Sequence, residues 1–313
     1  MNDTMPPVEQ CDVSNKVSLA SYRTKKAEWW RWLKTDNQNA LWRQIYAMII
    51  EDMTFRTLVA AADADKESGL HSPIIRRGIL QGNAAMQGLA IRRVVGSSRK
   101  RKELSLRQLL REIKGNIQLI TRENYVSGEG LPYDSDADAS WRAHLKFDRL
   151  AGKQPESRSR FDRIRKRVIN TLEGWLDAKE LKEVVTWTNE HIAHADDREK
   201  AHTDVASLTM DNIAASQRII VRTAEAVSAY LVNGPIHGAI VPVFRYSQFA
   251  RFEMIANQQA VKKAQERWRE LAKERDQWTR SLWDETRGLW GDWHELPDDH
   301  EHDEWLRGFL GRH

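Results

Sequence analysis

The amino-acid sequence predicts an all-α protein, an up-and-down helical bundle followed by a Trp-rich helical extension. Apolar residues recur at spacings of three and four over long stretches, whereas the period-two alternation that marks strands is nearly absent. With 41% hydrophobic and 30% charged residues in 313, the chain can form a buried core. We expect a lead segment over residues 1–37, the bundle over 38–233 and the extension over 234–313.

The first helices of the bundle are predicted from their apolar stripes and end signals. Residues 40–64 carry a stripe of large apolar side chains that Asp52 interrupts. A polar residue in such a stripe lies at the edge of a bundle or is buried with a partner. A second helix is predicted over residues 74–95, and a third begins near Ser105. The second helix contains three glycines whose spacing allows close helix approach: Gly78, Gly82 and Gly88.

The middle of the bundle is predicted to contain a loop. Gly, Pro, Asp and Ser are frequent over residues 127–155, which indicates an excursion within the domain. Helical periodicity resumes over residues 161–195 and again over 205–232. Gly234 and Pro235 then end the helix, because proline has no N–H to donate and cannot continue it.

The extension begins with aromatic residues and continues as a long charged helix rich in tryptophan. The chain contains 13 tryptophans, and six of them fall in the final fifty residues: Trp268, Trp278, Trp283, Trp290, Trp293 and Trp305. Aromatic side chains at helical spacing either pack against a bundle or form an interface. Two interpretations therefore stand, core packing and binding of a protein partner through the Trp-rich helix.

The net charge is only +4, but the charges are segregated along the chain. Basic residues concentrate in residues 91–114 and 158–167, and acidic residues in 127–140 and 292–304. Basic runs are either solvated helix faces or phosphate-binding surfaces. If the two runs converge on one face, nucleic-acid binding should weaken steeply with salt. The candidate phosphate-binding residues are Arg92, Arg93, Arg99, Lys100, Arg101, Arg163, Arg165 and Arg167.

The single cysteine, Cys11, excludes a disulfide framework or a thiolate metal site built within one chain. The opening residues lack the basic start and apolar run of a signal peptide, and no stretch approaches the roughly 20 apolar residues of a membrane span. We therefore expect a cytoplasmic protein with no membrane partner.

The stretch WTNEHIAHADD, residues 187–197, contains several polar side chains of the kinds that bind metals or catalyse reactions. On an ideal helix Trp187, His191 and His194 lie together on the flank of an apolar stripe. A zinc site would need further ligands from residues 196–202, and the pair lacks the Glu of an HExxH motif. A second interpretation is structural, with the histidines at a helix C-terminus where the dipole favours cations.

A third interpretation comes from a family resemblance. NEHIAHADD resembles the closing motif of the HEPN superfamily of helical bundles, in particular the abortive-infection U branch of bacterial defence proteins. That branch has an arginine, an asparagine, a few residues and then Ile-Ala-His, a small residue and Asp. AIRRVVGSSRKRKELSLRQLLREI also resembles the branch, with its Arg-rich helix end, charged break and Ser-Leu-x-x-Leu-Leu helix start. The likeness covers residues 38–232 and leaves the extension unexplained.

In active HEPN members the motif is Arg, four to six residues, then His, and two protomers join their motifs to cut RNA without a metal. The resemblance implies that His194 is the catalytic base, with Asn189 as an orienting group and His191 as an auxiliary. A neutral imidazole can take the proton from a ribose 2′-hydroxyl, which then attacks the adjacent phosphate. Thr188 stands where the motif has arginine, which removes one phosphate contact.

Arg92 or Arg93, at the end of another helix, is expected to supply the cation that the motif lacks. The sequence thus predicts an RNA-directed defence protein, a homodimeric, metal-independent endoribonuclease with no cofactor. The alternative is a catalytically degenerate HEPN module that binds RNA or a protein partner. Thr188→Arg should raise cleavage if the surrounding architecture is intact, or destabilise the fold if the new charge is buried unpaired.

Overall fold

The computed structural model of the chain describes residues 5–35, 39–96, 104–134, 137–193, 208–234, 239–242, 244 and 247–280. Over these ranges the chain is helical, with one isolated bridge between Thr121 and Arg163 in place of any strand. The all-α prediction is confirmed. The α-helices are α1 (Lys16–Trp30), α2 (Leu41–Ala64), α3 (Pro73–Val95), α4 (Leu106–Gly115), α5 (Arg122–Ser127), α6 (Asp138–Ala151), α7 (Lys166–Leu176), α8 (Lys179–Thr188), α9 (Met210–Ala226) and α10 (Gln258–Arg280).

Side-chain caps set several helix starts. Ser105 Oγ accepts a hydrogen bond from Gln108 N at 3.2 Å, which confirms the predicted start of α4. Asn15, Thr121 and Thr209 accept equivalent bonds at the starts of α1, α5 and α9. Each cap satisfies an N–H that the first turn of a helix leaves unpaired.

Helix α2 is central and runs antiparallel to both α3 and α10. Gln87 of α3 donates to Met48 O at 3.1 Å, and Asn257 N, just before α10, donates to Asp65 Oδ2 at 2.9 Å. Farther along, the fully buried Asp52 accepts from Arg275 of α10 at 3.1 Å and from Arg56 at 2.8 Å. Asp52 is therefore buried with partners, the second of the two situations expected for it.

The apolar core extends beyond the predicted bundle at both ends. Leu19, Tyr22 and Trp29 of α1 are fully buried in the main core, although α1 belongs to the predicted lead segment. Leu271 and Trp278 of α10 are buried in the same core. For these described parts of the extension, packing against the bundle is the interpretation that the structure supports.

The predicted loop over residues 127–155 contains a helix. Residues 138–151 form α6, and its Phe147 and Leu150 are fully buried in the core. Sequence reasoning gave weight to the flanking Gly, Pro and Asp residues and missed the apolar spacing of WRAHLKFDRLA. Gly152, at a φ of 62°, ends the helix in the left-handed conformation that glycine adopts without strain.

The described helices include none that is long and apolar enough to cross a bilayer.

Candidate functional site

A cleft of about 1090 Å³ opens where the end of α3 and the start of α4 meet α8. The N-terminal end of α2 and the end of α7 complete its walls. The polar and charged residues that line it are Asn39, Gln44, Arg92, Arg93, Arg107, Asp177, Lys182, Thr186 and Asn189. Asn189 therefore shares this cleft with Arg92 and Arg93, residues nearly a hundred positions earlier in the chain.

Four cations reach the cleft from three helices. Arg92 and Arg93 lie in the last turn of α3, where the helix dipole favours positive charge. Arg107 projects from the first turn of α4, and Lys182 from α8. Asp177 is the only carboxylate among the described lining residues. The cleft is therefore strongly cationic.

The cations differ in how they are satisfied. Arg107 Nη2 lies 3.0 Å from Asp177 Oδ1, so these two charges pair with each other. Arg93 Nη2 donates to Asn39 Oδ1 at 2.8 Å, a neutral acceptor that leaves the guanidinium charge uncompensated. Arg92 and Lys182 make no side-chain hydrogen bond or ion pair with any other residue in the described ranges. Two cations in the cleft are thus available to an anionic ligand.

Two buried amide oxygens also belong to this cleft. Asn189 Oδ1 and Gln44 Oε1 are inaccessible to solvent and have no hydrogen-bond partner among the residues that the structure describes. A buried acceptor without a donor costs about 1–3 kcal/mol, so such groups call for an explanation. Asn189 also begins a π-helix, Asn189–Ala193, and single π-turns are frequent at functional sites.

His191 lies on this π-helix, outside the cleft. Its ring is exposed and stacks on the Trp187 ring, with centroids 5.1 Å apart and planes 14° apart. Nδ1 lies 3.0 Å from Trp187 O. Because a carbonyl oxygen only accepts, Nδ1 carries the proton and the neutral ring keeps its basic lone pair on Nε2. The predicted proximity of Trp187 and His191 is confirmed.

Several of the predicted site residues lie outside the described part of the chain. They are Arg99, Lys100, Arg101 and His194. The further zinc ligands considered over residues 196–202 also lie outside it. Within the described ranges, no three His, Cys, Asp or Glu side chains are grouped so that they could hold a metal ion.

Thr188 is fully buried where α8 crosses α3. Its Oγ1 donates to Val184 O at 2.7 Å, and a Cβ added at Gly88 would clash with Thr188 Oγ1. The two helices therefore touch at Gly88, whereas Gly78 and Gly82 face open space, so of the three glycines predicted to allow close approach Gly88 alone does so. A guanidinium at position 188 has no space and would be buried, so this packing favours the destabilising outcome of Thr188→Arg over the activating one.

The second basic run, residues 158–167, lies at the other end of α7 from the cleft. Arg163 and Arg165 precede α7, whereas the cleft is lined by Leu176 and Asp177 at its end. Eleven helical residues separate the two places by about 16 Å. The two basic runs therefore do not converge on the cleft. Arg163, Arg165 and Arg167 are exposed, and Arg165 donates to Gly152 O at 2.8 Å.

Sequence reasoning missed Lys182 and Gln44 as cleft residues and did not single out Arg107. Lys182, Thr186 and Asn189 are spaced by four and three, so they lie on one face of α8. That spacing was the available signal for Lys182. Gln44 has no such signal, because it joins the cleft only through the packing of α2 against α3.

No family model matches the chain, and no curated protein or solved structure matches it either.

Proposed function

We propose that the cleft binds the phosphate backbone of single-stranded RNA and that the protein is an RNA-directed bacterial defence protein, a metal-independent endoribonuclease of the HEPN type. The observation that carries the proposal is the pair of cations without a side-chain partner in the described ranges, Arg92 and Lys182, which face one cleft from two helices. Uncompensated cations in a cleft attract phosphates and release counterions when they bind.

The position of Asn189 supports the use of Arg92 in place of the missing motif arginine. Asn189 corresponds to the polar residue of the family motif, and it lines the same cleft as Arg92. A guanidinium there can contact two phosphate oxygens at once and stabilise the charge that gathers on them during cleavage. Arg93 is held by Asn39 and serves as a second cation at the rim.

In the proposed reaction His194 takes the proton from a ribose 2′-hydroxyl. The 2′-oxygen forms a bond to the adjacent phosphorus, and the bond from phosphorus to the 5′-oxygen breaks. The departing oxygen takes a proton from water, and the products are a 2′,3′-cyclic phosphate and a 5′-hydroxyl. Asn189 orients the substrate. His191, whose ring lies outside the cleft, is the auxiliary group of the proposed reaction.

The second candidate is a module that binds RNA or a protein partner without cutting. Thr188 favours it, because this residue belongs to the α3–α8 contact and cannot act as a phosphate ligand. In that case the cationic cleft remains a binding site, and the motif no longer has a catalytic role.

Binding is tested with a fluorescent single-stranded RNA and the full chain. Arg92→Gln with Lys182→Gln should weaken binding about tenfold or more at low salt and reduce the salt slope by about 1.4, or 0.7 for each lost phosphate contact. Lys66→Gln with Lys153→Gln changes the charge equally at exposed positions and should have little effect. Equal losses in both variants would contradict the proposed cleft.

Cleavage is tested by incubating the RNA with protein in EDTA and sequencing the new ends. Cyclic phosphate ends that disappear with His194→Ala and decrease with Arg92→Gln would support the endoribonuclease. Binding without cleavage in the parent protein would favour the second candidate. Absence of both binding and cleavage would refute the proposal.

The resemblance also implies assembly, since active members build the site from two protomers. We propose that the protein is a homodimer, and light scattering at micromolar concentration tests this. A strict monomer of 36.3 kDa would remove a composite site from consideration.

A further inference from the structure

An apolar stripe is exposed along α3. Positions 75, 78, 82, 86, 89 and 93 are three or four apart and lie on one face of the helix. Ile75, Met86 and Leu89 are 43%, 41% and 43% exposed. A Cβ added at Gly78 or Gly82 would meet nothing within 4 Å. The stripe is about 27 Å long and leaves a shallow apolar track without a covering element in the described ranges.

The stripe leads into the cationic cleft. Leu89 and Arg93, its last two positions, both line the cleft. A ligand that fits this combined surface carries large apolar side chains along one part and negative charges at the other. RNA supplies the charges but has no counterpart for a continuous apolar stripe.

Residues 281–313 of the same chain have this combination. They contain nine Asp and Glu against three Arg, a net charge of −6, so the rest of the chain carries +10. They also contain four of the tryptophans: Trp283, Trp290, Trp293 and Trp305. The charge is complementary to the cleft, and the aromatic residues are complementary to the stripe.

The segment starts within reach of this surface. Helix α10 runs antiparallel to α2 and ends at Arg280, beyond the contact of Arg275 with Asp52. It therefore heads toward the N-terminal end of α2, which supplies Asn39 and Gln44 to the cleft. Thirty-three residues can extend about 100 Å, well beyond the 27 Å stripe.

We propose that residues 281–313 bind this surface in the same molecule, with tryptophans on the α3 stripe and carboxylates at Arg92 and Lys182. The segment is an internal competitor for the cleft. An intramolecular ligand acts at a high effective concentration, so weak individual contacts suffice to occupy the site. The proposed contact is inferred from the apolar stripe of α3 and the complementary charges alone. The competition with RNA rests in addition on the proposed function.

The contact is tested without RNA by zero-length carbodiimide cross-linking at low salt. Lys182 is exposed and unpaired in the described ranges, so its amine should form an amide with a carboxylate of residues 292–304, seen by mass spectrometry of peptides. Lys182→Arg should remove this product, and Lys153, exposed near the start of α7 and therefore at the end of that helix opposite the cleft, should not form it. Absence of the Lys182 product overturns the contact.

A mixture of unlabelled and ¹⁵N-labelled protein distinguishes one molecule from two. Cross-linked peptides that carry a single label state support a contact within the chain. Mixed labels would show that a second copy supplies the segment and would overturn the proposal.

The competition is tested with two full-length variants of equal charge. Asp298→Asn, Asp299→Asn, Glu301→Gln and Asp303→Asn together should raise RNA affinity about tenfold at 50 mM salt, with a smaller gain at higher salt. The control combines Glu9→Gln, Glu67→Gln, Glu156→Gln and Glu253→Gln, all at exposed positions, and should change affinity less than about twofold.

The outcomes separate the two claims. Equal gains in the two variants, or a cross-link without any gain in RNA affinity, would overturn the competition. If neither variant nor the parent binds RNA, the proposed function fails, and the cross-link still decides whether the segment occupies the cleft. Melting curves of both variants verify that the substitutions leave the fold intact.

Discussion

The two arginine-rich runs of this chain look alike in sequence and differ in what surrounds them. In the second run Arg158 binds Asp148, and Arg160 lies 2.8 Å from Asp12 and 3.3 Å from Asp134. In the first run Arg92 has no such partner in the described ranges, and it faces a cleft. Charge in a sequence therefore becomes available to a ligand only where the fold brings no carboxylate to it.

One partner of the second run, Asp148, is part of the protein interior. Asp148 is fully buried and also accepts from the fully buried Arg122 at 2.6 Å. The buried ion pairs hold α5, α6 and the chain before α7 together. Arg158 thus stabilises the fold through a buried carboxylate, whereas Arg92 is free to bind an anion.

The largest effect on stability is expected at the contact between α3 and α8, two of the helices that form the cleft. Thr188→Arg should lower the free energy of unfolding by more than about 4 kcal/mol, because it overfills the contact with Gly88 and buries an unpaired charge. Chemical denaturation measures this. Thr186→Arg is the matched control, since Thr186 is exposed and lines the cleft. It should leave stability unchanged and strengthen RNA binding. A folded Thr188→Arg variant with increased cleavage would show that this account of the contact is wrong.

The structural role of the second run is tested at its buried carboxylate. Asp148→Ala should destabilise the protein by about 3 kcal/mol, since Arg122 and Arg158 lose a shared partner. Asp134→Ala removes a carboxylate that is 81% exposed and should cost less than about 0.5 kcal/mol. Similar melting temperatures for the two variants would remove the distinction between the runs.

A smaller effect on stability is expected from a substitution on the α3 side of the α3–α8 contact. Gly88→Ala should destabilise by about 2 kcal/mol, because the new Cβ meets Thr188 Oγ1. Gly82→Ala, on the same helix but facing open space, should stabilise by up to about 1 kcal/mol through helix propensity. Urea titrations of the pair compare the two positions directly. A neutral Gly88→Ala would mean that α3 and α8 separate at little cost.

The smallest effect concerns Lys146, a partly buried cation whose hydrogen-bond partners among the described residues are neutral oxygens. Its Nζ lies 3.2 Å from Gly234 O and 3.5 Å from Asn233 Oδ1. Burial lowers the pKa of Lys146 to about 8, and nearby Lys26 adds to the effect. Between that value and its ordinary 10.5 the unfolded chain holds more protons, so stability rises with pH.

Lys146→Met should therefore remove about 1.5 kcal/mol of the rise in stability between pH 8 and 9.5. Denaturant titrations at the two pH values measure the difference. Lys153→Met, at an exposed position, should leave the pH dependence as it is in the parent. A pH dependence that is identical in all three proteins would show that Lys146 is fully solvated.

The sequence by itself determined the helical class and several of its details. Apolar spacing predicts α2, α3 and α4, Ser105 marks the start of α4, and the glycines of α3 predict a close helix contact that the structure shows at Gly88 and not at Gly78 or Gly82. These features depend on residues within one or two turns of each other, so local periodicity and local hydrogen bonding are sufficient to predict them.

Only the tertiary structure decided which polar residues act together. Asn189 meets Arg92 across nearly a hundred residues, and Arg160 finds Asp12 across 148. Thr188 stands where the family motif has a phosphate-binding arginine, and in the structure it is part of the contact between α3 and α8. Pairing and burial depend on side chains that packing brings together from distant parts of the chain, and a local pattern holds no information about them.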